Sequence, residues 1–181
     1  MPGLEPIIHF MIPFFALTLL GIKPKRAFIL SLFALLPDLD ILFHVHRSPS
    51  HSIPILIVAL APVWISALKS ERFRGDVWLA SLALLSHPIL DLFSGYTPIL
   101  WPLFPYSLWA QAEVYIRLGS WPTIQPYVNL AMEPTSFKPV GNLDAVVVSG
   151  EGLILSLLIL IPILARILFT SSMLGKRPPT S

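Results

Sequence analysis

The sequence predicts an all-α membrane protein: a single membrane-embedded domain, residues 1–181, with a bundle of about five transmembrane helices. The first supporting observation is composition, since 55% of the residues are hydrophobic, 12% are charged and the mean hydropathy is +0.76. A soluble domain cannot bury that much apolar surface. The second is a set of apolar segments, and the third is a proline- and aromatic-rich region between the last two of them.

The predicted helices are apolar segments of about 16 or 17 residues, at the short end of what crosses a hydrocarbon core. A buried helix of a soluble protein has a similar appearance, but this many segments in a short chain leave too little polar surface to cover them. The predicted helices are residues 7–22, 27–43, 53–68, 77–93 and 153–169.

Residues 94–150 have a different character, with seven prolines, all four tyrosines and three of the five tryptophans. Proline at this density disfavours a spanning helix, and tryptophan and tyrosine prefer the headgroup region of a bilayer. We therefore expect an interfacial cap between the fourth and fifth helices, with short strands or an amphipathic turn near residues 112–118.

The positive charges predict how the helices cross the membrane. With five spans, nine lysines and arginines fall on one side and three on the side of the N-terminus. By the positive-inside rule, the N-terminus is external and the C-terminus cytoplasmic in the cell (inner) membrane. The cations are spread over helix ends instead of forming one patch. We therefore expect the lipid bilayer, and no nucleic acid, as a partner.

The same five-span arrangement places all the histidines and several acidic residues at helix ends on the predicted external face. Ionised groups near membrane depth are costly unless a partner compensates them, so their convergence indicates a bound cation. The residues are His9, His44, His46, His51, His87, Asp38, Asp40, Asp91 and Glu151.

His87 and Asp91 lie in the motif Ser-His-Pro-Ile-Leu-Asp. Their i, i+4 spacing places both side chains on one helical face, close enough to chelate one ion. Pro88 removes a backbone donor and should kink the helix. The alternative is a polar helix end at which the aspartate only caps.

Residues 36–40, Leu-Pro-Asp-Leu-Asp, place Asp38 and Asp40 beside a helix break at Pro37. One carboxylate could bind metal while the other holds a histidine that does so. An ordinary helix stop is the alternative.

His46 and His51 flank Pro49 in the next loop, where they could wrap an ion. Arg47 could clamp a phosphate oxygen. A solvated loop is the alternative. His9 alone is more typical of an interfacial or core histidine, and Glu151 alone of a residue that complements a helix dipole. His44 is the weakest candidate.

Taken in order, these motifs resemble the YdjM-like family, LexA-binding proteins of the inner membrane that are described as metal-dependent hydrolases. The resemblance implies a metal-dependent hydrolase, similar in its ligands to zinc-dependent phospholipase C and nuclease sites. This chain departs from the family pattern at Ile41, where a histidine is frequent. The matching positions are His9, residues 36–40, His46, Arg47, His51, Ser52, residues 86–91, residues 100–102 and Glu151.

We therefore expect a membrane-bound hydrolase of a phosphoester in a lipid or lipid-linked substrate, with one to three divalent ions, zinc above all. Arg47 orients the substrate, and Asp40 or Glu151 acts as general base. A metal-ion transporter or a metal-binding membrane protein is the alternative. The candidate metal ligands are His9, Asp38, Asp40, His46, His51, His87, Asp91 and Glu151.

Overall fold

A computed structural model describes residues 6–45, 47–118, 121–137, 139 and 148–174. Within these residues the chain forms helices joined by 3-10 segments, followed by a β-hairpin and a last helix. The helices are α1 (Pro6–Leu19), α2 (Pro24–Ser31), α3 (Ile53–Ala67), α4 (Glu71–Ser94) and α5 (Gly150–Leu174). The strands are β1 (Tyr106–Leu118) and β2 (Pro122–Pro134).

The prediction of an all-α bundle of about five transmembrane helices is wrong. In the part of the chain that the structure describes, one helix is long and apolar enough to cross a membrane, the segment Phe73–Ser94 of α4. α1 and α3 are apolar but have only 14 and 15 residues. The region predicted as an interfacial cap contains a two-stranded antiparallel sheet.

The predicted second helix, residues 27–43, is broken. α2 ends at Ser31, and the chain continues as two 3-10 segments, Leu32–Leu35 and Pro37–Phe43. Proline lacks a backbone donor and its ring clashes with the preceding helical turn. The chain therefore tightens around Pro37 and then stops at His44, which adopts a left-handed conformation with φ of 56°. Hydropathy is insensitive to such a break because the residues around it stay apolar.

The hairpin contains three of the seven prolines and three of the four tyrosines of residues 94–150. β1 and β2 pair over their full length, from Tyr106 opposite Pro134 to Leu118 opposite Pro122. Valine, isoleucine, tyrosine and tryptophan favour strands. Both strands of a two-stranded sheet are edges, which is where proline is tolerated. The prolines thus disfavour a helix, as expected, but they permit a ribbon.

The buried apolar core joins four of the helices. Met11, Phe14 and Leu17 of α1 pack with residues of α2, α4 and α5. Ala27 of α2 is completely buried, so a small side chain allows this close approach. Many large apolar side chains lie outside the core and are exposed, as on a surface that faces lipid or another apolar partner. The remaining core residues are Ala27, Leu30, Ala80 and Ile163.

Candidate metal centre

His87 is held on α4 by a hydrogen bond to the broken segment that precedes Pro37. Its Nδ1 lies 2.7 Å from the carbonyl oxygen of Ala34. A carbonyl can only accept, so Nδ1 carries the proton and Nε2 presents a lone pair. Metal-binding histidines are commonly oriented in this way, with the other ring nitrogen donating to a carbonyl or carboxylate.

His51 presents its own Nε2 to the same point. The ring ends the 3-10 segment Pro49–His51 and is completely buried. Its Nδ1 lies 3.3 Å from Oδ2 of Asp40, and its Nε2 lies 3.1 Å from Nε2 of His87. Two imidazole nitrogens at this separation repel unless a proton or a metal ion lies between their lone pairs.

Two carboxylates complete the arrangement. Oδ2 of Asp91 lies 3.2 Å from Nε2 of His51 and 3.5 Å from Nε2 of His87. Oδ1 of Asp38 lies 3.8 Å and 3.4 Å from the same two nitrogens. A tetrahedral zinc ion with ligands at about 2.0 Å sets its ligand atoms roughly 3.3 Å apart. The two imidazoles together with either carboxylate therefore have spacings that suit the ligands of one divalent cation.

His9 extends this set from α1. Its ring stacks on that of His87 with centroids 3.9 Å apart, and its Nε2 lies 3.3 Å from Oδ1 of Asp91. Two overlapping groups could thus hold an ion: His9, His87 and Asp91, or Asp38, His51 and His87. Because Nδ1 of His87 is bonded to Ala34, both groups depend on the same Nε2. They form one centre, which we call the His/Asp cluster.

Several buried polar atoms in and beside the His/Asp cluster make no hydrogen bond: both ring nitrogens of His9, Oδ2 of Asp38, Oδ1 of Asp40 and Oδ2 of Asp91. Leaving buried polar groups unsatisfied destabilises a fold. A cation at the centre of the cluster would engage Oδ2 of Asp91 and one ring nitrogen of His9, whereas Asp38 and Asp40 face the histidines with their other oxygens. The free atoms of Asp91 and His9 are thus a second sign that the residues fit a metal ion.

The charges of the cluster also indicate that it could hold a cation. Burial alone would lower the pKa of His51, but its contacts with Asp38, Asp40 and Asp91 outweigh burial and raise that pKa to about 10. Burial also opposes ionisation of Asp38 and Asp40. Contacts with His51 outweigh it and hold the pKa of both carboxyls below the usual range. The carboxylates therefore require positive charge at this position, from a proton or from a metal ion.

Arg47 lies at the edge of the cluster. Its Nη2 lies 2.7 Å from Oγ of Ser94 and 3.8 Å from Oδ1 of Asp91, and its Nη1 donates to the carbonyl of Tyr96 over 3.2 Å. Gly95 permits this position, because a Cβ there would collide with the guanidinium. The Nε of Arg47 is buried and makes no hydrogen bond.

The structure brings most of the predicted site residues together, in the His/Asp cluster or beside it, and leaves others apart. Glu151 lies exposed in the first turn of α5, and the described residues show no contact between it and the cluster. His44 is exposed, and His46 lies outside the described residues. The residues brought together are His9, Asp38, Asp40, Arg47, His51, His87 and Asp91.

Some residues that support the cluster were not predicted from the sequence. Ser48 donates its backbone N–H to Oδ2 of Asp40 over 2.8 Å, and its side chain accepts from the backbone of Ser50. The pattern Ser-Pro-Ser is typical of a turn capped by a side chain, and it could have predicted the contact between these two serines. No sequence signal identifies the carbonyl of Ala34 as the acceptor for His87, because any residue supplies a carbonyl.

Together, the fold and the cluster define a largely helical protein with an apolar exterior and a buried histidine–aspartate site that could hold a metal ion. The family model described as YdjM inner membrane protein matches residues 4–173. The chain therefore belongs to that family, which confirms the resemblance seen in its motifs and the association with the inner membrane. No curated protein and no solved structure matches the chain. The predicted orientation across the membrane stays a prediction.

Replacing His87 by asparagine should abolish metal binding. Asparagine can still donate to Ala34 but is a poor ligand for zinc, so the fold is kept while the ion is lost. We expect about one ion per chain in the purified parent protein and only background in His87→Asn, measured by elemental analysis. His44→Asn is the matched control, since His44 is exposed and its left-handed conformation suits asparagine. Equal metal content in parent and His87→Asn would contradict the assignment.

Metal affinity should rise with pH. With a pKa of about 10, His51 is protonated at neutral pH in the metal-free protein, so an ion that binds its Nε2 must displace one proton. Between roughly pH 6 and pH 8 we expect the affinity to increase about tenfold per pH unit. Competition with a chelator of known protonation constants measures this. An affinity that does not change with pH would show that His51 is not a ligand.

Proposed function

We propose that this protein is a metal-dependent hydrolase that cleaves a phosphoester in a lipid or lipid-linked substrate. The observation that carries the proposal is the spacing of the donor atoms. The Nε2 atoms of His51 and His87 lie 3.1 Å from each other and 3.2–3.8 Å from carboxylate oxygens of Asp38 and Asp91. Imidazole and carboxylate ligands suit zinc, with manganese as the nearest alternative. A bound divalent cation supplies Lewis acidity, which lowers the pKa of water and stabilises charge on a phosphoryl oxygen.

Access to the cluster favours Asp38 as the residue that meets water or substrate. Its side chain is 22% exposed, whereas those of His51 and His87 are completely buried and that of Asp91 is 3% exposed. Oδ1 of Asp38 faces the histidines while Oδ2 makes no hydrogen bond. Asp38 is therefore the acid of the cluster that solvent approaches most closely, although its Oδ2 is itself buried, and we assign it the role of accepting a proton from water.

Asp40 has a different role in this proposal. Its Oδ2 contacts Nδ1 of His51 and accepts the backbone N–H of Ser48, so the carboxylate lies on the far side of His51 from His87. This geometry favours Asp40 as the group that orients His51, as carboxylates do for metal-binding histidines. We therefore assign the general base to Asp38 instead of Asp40 or Glu151.

Arg47 supports a phosphoester as the substrate. A guanidinium is the side chain best suited to bind phosphate oxygens. Three contacts fix its terminal nitrogens near Asp91, and its buried Nε still has a donor to offer. The apolar exterior and the inner-membrane family favour a lipid as the rest of the substrate.

The core beside the cluster weighs against ion transport. A transport pathway requires polar groups through the depth of the protein. Below His9 on α1, the buried side chains are instead mostly apolar, with Met11, Phe14 and Leu17 in the core. A site closed on that side is better suited to a reaction than to passage of an ion.

Asp38→Asn should reduce turnover without emptying the site. Asparagine keeps the shape of the side chain and a weak oxygen ligand but cannot accept a proton, so we expect kcat to fall by about 10²–10⁴. The assay is phosphate release from a panel of phospholipids and polyprenyl phosphates by the zinc-loaded protein in detergent. Glu133→Gln, on the exposed end of β2, is the control. The proposal fails if the loaded parent protein cleaves none of these esters.

Gly95→Ala should impair substrate binding by displacing Arg47. The added Cβ would occupy the position of the guanidinium, and loss of a charged hydrogen bond lowers kcat/KM by about tenfold to a hundredfold. Metal content should stay at the parent level, since Gly95 contacts the ligand Asp91 only through its backbone N–H, which alanine keeps. Gly150→Ala is the matched control, because nothing lies within 4 Å of a Cβ at that position. An unchanged kcat/KM in Gly95→Ala would remove Arg47 from the mechanism.

A further inference from the structure

A deep apolar groove runs between α2, α3 and α4, on the part of α4 that precedes His87. It encloses about 760 Å³. Its walls come from all three helices and from the 3-10 segment after α2, and they are almost entirely aliphatic or aromatic. The wall residues are Ile29, Phe33, Leu60, Val63, Val77 and Leu84.

One end of the groove is charged. Lys25, Arg26 and Asp76 line it there. The Nε of Arg26 forms an ion pair with Oδ1 of Asp76, so these two charges offset each other. Lys25 is exposed and contributes a further positive charge, and among the described interactions it has no acidic partner. The entrance therefore carries a net positive charge and suits an anion.

The other end is apolar and lies next to the His/Asp cluster. Leu36 and Leu84 line it, two residues before Asp38 and three residues before His87. From Asp76 to Leu84 a helix rises roughly 12 Å. The groove thus suits a slender ligand with one negatively charged end and an apolar body of at least this length.

We propose that the groove binds an acyl chain of an anionic phospholipid whose phosphate lies at Lys25. The chain would follow the wall formed by Val63 and Val77 and end against Leu36 and Leu84. Charge complementarity sets this direction, because a lipid bound the other way would place its methyl end beside Lys25 and the Arg26–Asp76 ion pair. The proposal does not depend on hydrolase activity or on a bound metal.

Lipid retention measures this site directly. The full chain, purified in a neutral detergent, is titrated with dioleoyl phosphatidylglycerol or dioleoyl phosphatidylcholine and analysed by native mass spectrometry. We expect one phosphatidylglycerol to be retained per chain, with phosphatidylcholine bound about tenfold more weakly. Equal retention of the two lipids would overturn the charged part of the proposal.

Two variants with matched controls test the two ends. Val63→Trp should fill the groove and abolish retention, whereas Val58→Trp, on the exposed side of the same helix, should leave it unchanged. Lys25→Glu should weaken phosphatidylglycerol binding about tenfold, whereas Lys69→Glu, an exposed lysine after α3, should have no effect. Lys25 is exposed, so its replacement leaves the fold intact even if Val63→Trp disturbs it. Retention that is insensitive to both Val63→Trp and Lys25→Glu would overturn the proposal, whatever the result of the hydrolysis assays.

Discussion

The structure depends on the balance of charge within one small buried volume. Asp38, Asp40 and Asp91 surround His51 within hydrogen-bonding or ion-pair distance, and His87 faces His51 over 3.1 Å. Burying a charge is costly unless an opposite charge accompanies it. A proton on an imidazole can supply that charge, and so can a metal ion. The ion has the advantage that it also separates the two facing nitrogens and engages Oδ2 of Asp91, which otherwise makes no hydrogen bond.

This requirement explains why segments far apart in sequence are held together. α1 supplies His9, the broken segment after α2 supplies Asp38, the 3-10 segment before α3 supplies His51, and α4 supplies both His87 and Asp91. The two 3-10 segments that carry Asp38 and His51 contribute no residue to the apolar core. Interactions within the cluster therefore connect these two segments to α1 and α4, which the apolar core around Met11, Phe14 and Ala80 already joins.

The sequence predicted the composition of the site better than the fold. His9, Asp38, His51, His87 and Asp91 do lie together, and α1, α3 and α4 overlap three of the apolar segments, but the five-span arrangement from which their convergence was predicted is wrong. The hydropathy pattern also failed to predict the structure of residues 27–43, because apolar side chains persist through the break at Pro37. Proline density correctly disfavoured a helix in residues 94–150 but could not specify a ribbon of two 13-residue strands. Glu151 shows a further limit: a position at a helix end does not determine where its side chain points.

Because His87 contacts both Ala34 and Asp38, the position of its ring depends on the number of residues between these two. The stretch that runs from Ala34 to Asp38 delivers a backbone acceptor at one end and a carboxylate at the other, both to the same imidazole ring. A carbonyl is supplied by any amino acid, so the position of Ala34 matters for its distance along the chain more than for its chemistry. Inserting or deleting one residue in this stretch would shift both groups at once. The side chain of Leu35 can therefore vary while the number of residues between the two contacts stays fixed.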